Sequence, residues 1–152
     1  MSDNPLPYAE LTLDEALARF REEHGLTEKY RDLSEEAQLH YERHDMIHVL
    51  FGLGTDLREE AQADGWTLLA SDITWSDIRT FMKLPEEQAL IAELGWWAIA
   101  KAFFRAVPDY ALMAWKSQRM RKKWRWADNA SYRKLKVGAV RREFGITDAL
   151  AT

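Results

Sequence analysis

Two histidines and two carboxylates lie close together in this chain: His44, Asp45 and His48 fall within five residues, and Glu60 stands twelve positions beyond His48. In a helix advancing about 100° per residue, His48 falls roughly 40° from His44, and Asp45 about 60° beyond His48. The three side chains then share an arc of roughly 100° and can converge on one ion. Neutral imidazole and carboxylate are ligands of zinc and of non-haem iron. The chemistry expected is therefore binding of a divalent metal, Zn2+ or Fe2+, by His44, Asp45, His48 and Glu60.

Glu60 cannot join the others along a straight helix. Twelve residues at about 1.5 Å rise carry it roughly 18 Å along the axis, whereas metal–ligand bonds are about 2.0–2.2 Å long. The chain must turn, and Gly52 and Gly54 are where it can, because glycine ends helices and tolerates positive φ. Thr55 then offers a hydroxyl to cap a new helix, with Asp56 in its first turn. The pattern predicts helix, glycine break, helix, with Glu60 folded back over the imidazoles. The bland alternative is a pair of solvated or hydrogen-bonded histidines. His40, on the same face, reads either as a support behind a ligand or as an ordinary partly buried histidine.

His44-Asp45-x-x-His48, eleven residues, then Glu60 resembles the H-D-x-x-H-x(11)-E signature of the Coq4 family of ubiquinone-biosynthesis proteins. Leu50, Gly52 and Thr55 agree with that family's core stretch. Val140-Arg141-Arg142-Glu143-Phe144-Gly145-Ile146 is similar to its closing V-R-x-x-x-G-I segment. The likeness covers roughly residues 24–146. It implies a metal held by the four named residues and a prenylated aromatic lipid substrate. The implied activity is removal of the ring C1 carboxylate with hydroxylation there. The implied partners are a membrane surface and other ubiquinone-biosynthesis proteins, and a homodimer is compatible with it.

At 152 residues the chain is expected to form one domain, long enough to bury a core. Cysteine is absent, so any metal must be held by nitrogen and oxygen; a reducing compartment fits. The first residues have neither a basic n-region nor an apolar h-region. Glu93, Lys101, Arg105 and Asp109 interrupt the most apolar part, which argues against a spanning helix. The expected location is cytoplasmic, peripheral to the inner face of a membrane. Residues 1–100 hold 8 basic and 21 acidic side chains, a net −13, and residues 101–152 hold 13 and 4, a net +9, matching the overall −4. One end of the chain is acidic and the other basic, which implies a polar surface field.

The remaining elements read as an all-α bundle of about six helices. Residues 1–8 are expected to fray. Thr12 and Glu15 form a capping box ahead of the stripe Leu13, Ala16, Leu17, Phe20, and Gly25 stops that helix. Ser34 caps the helix that carries the site, with Leu39, Met46, Ile47, Leu50 and Phe51 as its packing residues. Gly65 interrupts the next segment, and Ser76 is a cap for a short helix after it. A strong helix starts at Pro85 and is ended by Pro108; Leu90, Leu94, Trp97, Ala98, Lys101 and Phe104 follow its spacing. Ile91, Trp96 and Phe103 make it apolar almost all round, so it is either central or exposed to something greasy. Helices over about 109–124 and 131–144, the latter closed by Gly145, complete the set.

Arg119-Met-Arg-Lys-Lys-Trp-Arg-Trp126 sets cations beside two tryptophans. One reading is a solvated helix face with both tryptophans buried. Another is a membrane patch, since cations attract anionic headgroups and tryptophan prefers the interface. Nucleic acid is not expected as a partner, because the acidic remainder would repel phosphate and no recognisable module is present.

Three functions compete. The first is the metal-dependent handling of a prenylated quinone precursor. The second is a non-catalytic lipid-quinone-binding scaffold. The third is an HD-type metal phosphohydrolase with His24 as its upstream histidine, though that pattern leaves His48 and Glu60 unexplained. A zincin protease is weaker still, because it requires Glu where Asp45 stands.

Overall fold

Thr12 opens the first helix, α1 (Leu13–Glu23), by a reciprocal capping box with Glu15, worth about 1 kcal/mol. Its stripe of Leu13, Ala16, Leu17 and Phe20 is buried, as the spacing requires. Gly25, at φ 66°, redirects the chain into the four-residue α2 (Leu26–Lys29). Ser34 then caps α3 (Glu35–Phe51) by accepting from the Ala37 N–H. Every residue of α3 from Asp45 to Phe51 is buried, which makes α3 the axis of the domain. Leu39, expected among its packing residues, is instead about half exposed, because it precedes that enclosed segment.

The computed structural model describes residues 6–147, the side chains of Ala102, Phe103 and Ala106 excepted. The Phe103 expectation, and that of fraying over residues 1–5, lie outside this part. Leu6 does not fray; its carbonyl accepts from Arg141 Nη1 at 3.2 Å. Among the described residues there are eight α-helices and one 3-10 turn, with isolated bridges at Thr12–Lys136 and Ser71–Trp124 but no strand. The fold is all-α, with more and shorter helices than the six expected.

The extra elements have local causes. Helix α4 (Leu57–Ala70) is capped by Asp56 in a box with Glu59, rather than by Thr55. Gly65 does not interrupt α4. It is buried within it, and a Cβ there would lie 2.6 Å from the Tyr110 ring and 2.8 Å from Met113 Cε. The glycine is a seat for another helix. Thr74, not Ser76, caps α5 (Trp75–Phe81), since Thr74 and Asp77 complete the reciprocal box. Gly95, at φ 78° and ψ 141°, splits the long apolar run into α6 (Pro85–Leu94) and α7 (Trp96–Ser117). Pro108 lies inside α7 instead of ending it. A proline there costs about 3 kcal/mol, offset by the packing of Tyr110 and Met113 on α4 beyond it.

After Ser117 the chain is irregular to residue 129, passes a 3-10 turn (Ala130–Tyr132), and ends in α8 (Val137–Phe144), closed by Gly145 at φ 74°. The last helix is therefore shorter than expected, and no helix covers 118–124. Both tryptophans of the basic stretch are buried. Backbone bonds between Trp124 and Ala70 (2.7 Å) and between Asp72 and Trp124 (2.9 Å) pin that stretch to the end of α4. The two tryptophans are core, and only the cations around them face water.

Aromatic surface is exposed elsewhere. Trp96 and Trp97 at the start of α7 are 70% and 88% exposed, and Phe104 and Trp115 further along it are also exposed. Trp97, Phe104 and Trp115 lie at i, i+7 and i+18, a single stripe roughly 27 Å long. The helix is thus partly exposed rather than enclosed on all sides. No helix among the described residues is long and apolar enough to cross a membrane.

Candidate metal centre

Gly52, at φ 68°, ends α3 and turns the chain so that α4 returns along it. The turn is held from three sides. The Leu53 N–H donates to the His48 carbonyl at 2.9 Å. His48 Nδ1 lies 2.8 Å from the Gly54 carbonyl oxygen. Arg141 Nη2 on α8 donates to the Val49 carbonyl at 2.6 Å. The expected helix, glycine break and helix are all present, and Glu60 is folded back.

His44, His48 and Glu60 each present a donor atom, and the three atoms lie within 4.8 Å of one another. His48 is fully enclosed, stacked on Phe20 with ring centroids 5.3 Å apart. Its Nε2 faces Glu60 Oε2 at 3.5 Å. Because a carbonyl only accepts, Nδ1 must carry the proton given to Gly54. With Nδ1 engaged by Gly54, Nε2 is the ring atom that His48 turns to Glu60, and a proton or a metal ion between the two atoms would satisfy both. A backbone carbonyl on the distal ring nitrogen is also how metal-bound histidines are oriented. The donor set of two imidazoles and a carboxylate fits Zn2+ or Fe2+.

The electrostatics favour the charged partners. Burial raises the Glu60 pKa, but the His48 contact and the nearby His44 and Lys29 outweigh it and hold the carboxyl below its ordinary range. Burial lowers the His44 pKa, but its bond to Asp64 and the charges of Asp64, Glu60 and Asp45 raise it above the usual imidazole value.

Asp45 does not join this group. It is 2% exposed, and its Oδ2 accepts from Arg21 Nε at 2.8 Å while its Oδ1 accepts from the Tyr30 hydroxyl at 3.3 Å. Arg21 also approaches Glu42 at 3.8 Å, and Glu42 pairs with Arg133, which pairs with Asp14 at 2.7 Å. This chain of charges ties α3 to α1 and to the segment after the 3-10 turn, and it holds Asp45 toward Arg21 on α1, outside the three-donor group. Burial lifts its pKa more than Arg21 pulls it down. The helical arc admitted Asp45 at its edge; the cation on α1 decided its direction.

The other histidines stand apart. His24 Nδ1 contacts the Thr55 hydroxyl at 3.1 Å and lies outside the three-donor group, so the upstream ligand of the phosphohydrolase reading is not in place. His40 stacks on Phe81 at 3.5 Å and meets Trp126 edge-on at 5.2 Å; it is the partly buried histidine of the bland reading. Two residues around the site escaped the sequence reading. Arg141 stands out in the sequence only within the closing motif, and Asp64, which contacts His44 Nε2 at 3.2 Å, belongs to no motif. The signal for Asp64 was its place four residues after Glu60, on the same face of α4.

Beside the centre, a groove of about 450 Å³ runs between α4 and α7, lined by Leu57, Arg58, Ala61, Lys101, Arg105 and Asp109 among others. None of the three donor residues lines it. Compared with known proteins, the chain matches no family model, no curated protein and no solved structure.

Proposed function

We propose that this chain is a metal-dependent, Coq4-like protein of ubiquinone biosynthesis that acts on the head group of a prenylated hydroxybenzoate-type precursor. The observation that carries this reading is the convergence of His44, His48 and Glu60 within 4.8 Å, with His48 held by Gly54 so that Nε2 faces the site. A divalent ion there would supply Lewis acidity toward a phenolate or carboxylate oxygen. Zinc has no redox chemistry of its own, whereas iron suits oxidative steps. Replacing the ring C1 carboxyl by hydroxyl takes one dioxygen, two electrons and two protons from a reductant, and releases carbon dioxide and water. The chain's own residues would hold the ion, with Phe20 stacked behind His48 to exclude water and the nearby cations keeping Glu60 ionised.

Peripheral membrane association belongs to the same reading. The exposed stripe of Trp97, Phe104 and Trp115, beside Lys101 and Arg105, is the arrangement of an interfacial helix. Lipid headgroup attraction adds about 1 kcal/mol for each cation near the surface.

A scaffold that binds the lipid without turning it over is favoured by one observation: the groove lies between α4 and α7, and no donor residue lines it. The test is metal analysis and turnover on the same preparation. Wild-type protein is expected to hold about one equivalent of metal and His44→Ala or His48→Ala none, and wild type with iron is expected to release carbon dioxide from a prenylated 4-hydroxybenzoate in air with excess ascorbate as the reductant. Metal without turnover supports the scaffold; full metal retention in either histidine variant ends both readings.

A further inference from the structure

We infer that Asp64 is the fourth ligand of the metal centre, in the place that the linear motif offers to Asp45. This rests on the metal-binding reading of His44, His48 and Glu60 and extends it.

Helices α3 and α4 run antiparallel through the glycine turn, so their residues pair across the hairpin. His48 faces Glu60 at 3.5 Å, and one turn along, His44 faces Asp64 at 3.2 Å. Both imidazoles approach through Nε2, and both carboxylates stand four residues apart on one face of α4. The result is two imidazole–carboxylate pairs side by side, one turn apart. Each carboxylate touches one ring, and the rings meet edge-on with centroids 4.9 Å apart.

The spacings agree with shared coordination. Two ligand atoms on a tetrahedral ion with bonds of about 2.0–2.2 Å lie roughly 3.4 Å apart, close to both imidazole–carboxylate separations here. The Asp64 oxygen stands outside the three atoms that already lie within 4.8 Å of one another. Its side chain is 68% exposed, so it is open to rotation about its own χ angles. Asp45 has no such freedom: it is 2% exposed and held by Arg21 and Tyr30. Taking Asp45 to the ion would cost Arg21 its partner at 2.8 Å and leave it only Glu42 at 3.8 Å, a costly change in a partly buried pair. Taking Asp64 there only exchanges its bond to His44 for one to the ion that His44 holds.

The experiment compares Asp64→Ala, Asp45→Asn and His48→Ala with wild type, using Co2+ titration followed by calorimetry and by the visible ligand-field spectrum. Asp64→Ala is expected to weaken binding at least tenfold and to shift the ligand-field bands, because a carboxylate oxygen leaves the ion. Asp45→Asn keeps a carbonyl oxygen to accept from Arg21 Nε and is expected to leave affinity within threefold of wild type and the bands unchanged. His48→Ala is expected to abolish binding. Wild-type affinity and bands in Asp64→Ala, with binding lost in His48→Ala, would overturn the assignment of Asp64 while leaving the metal centre intact. A changed spectrum in Asp45→Asn, with Asp64→Ala unaltered, would return the place to Asp45. No Co2+ bound by wild type would sink the centre itself and this inference with it.

Discussion

Arg141 Nε donates to the Leu50 carbonyl at 2.8 Å, joining residues 91 positions apart in the chain. The same guanidinium reaches the Val49 and Leu6 carbonyls, so the C-terminal end of α3 is capped by an arginine from α8. Cations at a helix C-terminus complement its exposed carbonyls and its dipole. The cap sits one turn from His48 and holds the bend that brings Glu60 back. Arg141→Leu strands these buried carbonyls without a donor. The expected loss is about 3 kcal/mol of stability, read by urea denaturation, together with at least tenfold weaker metal binding by calorimetry. Unchanged metal affinity would uncouple the cap from the site.

Gly65 makes room for α7. Alanine is normally the better helix former by about 1 kcal/mol, but here its Cβ would meet the Tyr110 ring at 2.6 Å. Overpacking of this kind costs about 1–3 kcal/mol, so Gly65→Ala is expected to lower Tm despite its favourable propensity. A rise in Tm would show that α7 can give way at that point.

His40 sets a pH dependence of stability. Burial pushes its pKa down to about 4, with the neighbouring cations His44 and Arg43 acting in the same direction. The unfolded chain therefore binds a proton on this residue between about pH 6.5 and 4 that the folded chain refuses. Its neutral form is favoured in the fold, so stability is present above the unfolded pKa and falls as pH drops through that window. The expected loss is on the order of 2 kcal/mol, discounted for partial solvent contact. His40→Phe should flatten the slope of Tm against pH between 6.5 and 4; an unaltered slope would assign it to other groups.

Metal should stabilise the fold, because the unfolded chain does not hold the donors of α3 and α4 together. At a free concentration one hundred times Kd the gain is about 2.7 kcal/mol. Thermal melts with and without chelator check this, with His48→Ala expected to show no difference between them. An equal rise in that variant would place the ion elsewhere.

Trp97 is 88% exposed and supports no packing that its loss would undo. Trp97→Ala should change stability by less than about 0.5 kcal/mol and reduce sedimentation with vesicles of anionic lipid several-fold. Full retention on the vesicles would remove the aromatic stripe of α7 from membrane contact.

The chain's own order of residues determined the local features. The capping box at Thr12, the cap at Ser34, the left-handed stops at Gly25 and Gly52, and the pairing of His44 with His48 on one helical face all depend on neighbours within a turn or two. Even the return of Glu60 was legible, because two glycines mark where the helix must end and simple lengths forbid any straight path. Tertiary structure decided what local spacing leaves degenerate. Asp45 lay at the edge of the arc that holds the two histidines, and an arginine on another helix drew it away, while Asp64 meets His44 because an antiparallel hairpin sets residue 64 opposite residue 44. Gly65 and Pro108 carried breaker signals that packing between α4 and α7 overrode. Trp124 and Trp126 went into the core and Trp96 and Trp97 stayed in water, since the direction of an aromatic side chain depends on which surface arrives against it. Capping and turn preferences act through bonds close in sequence; ion-pair partners and packing seats are chosen among residues that only the fold brings together.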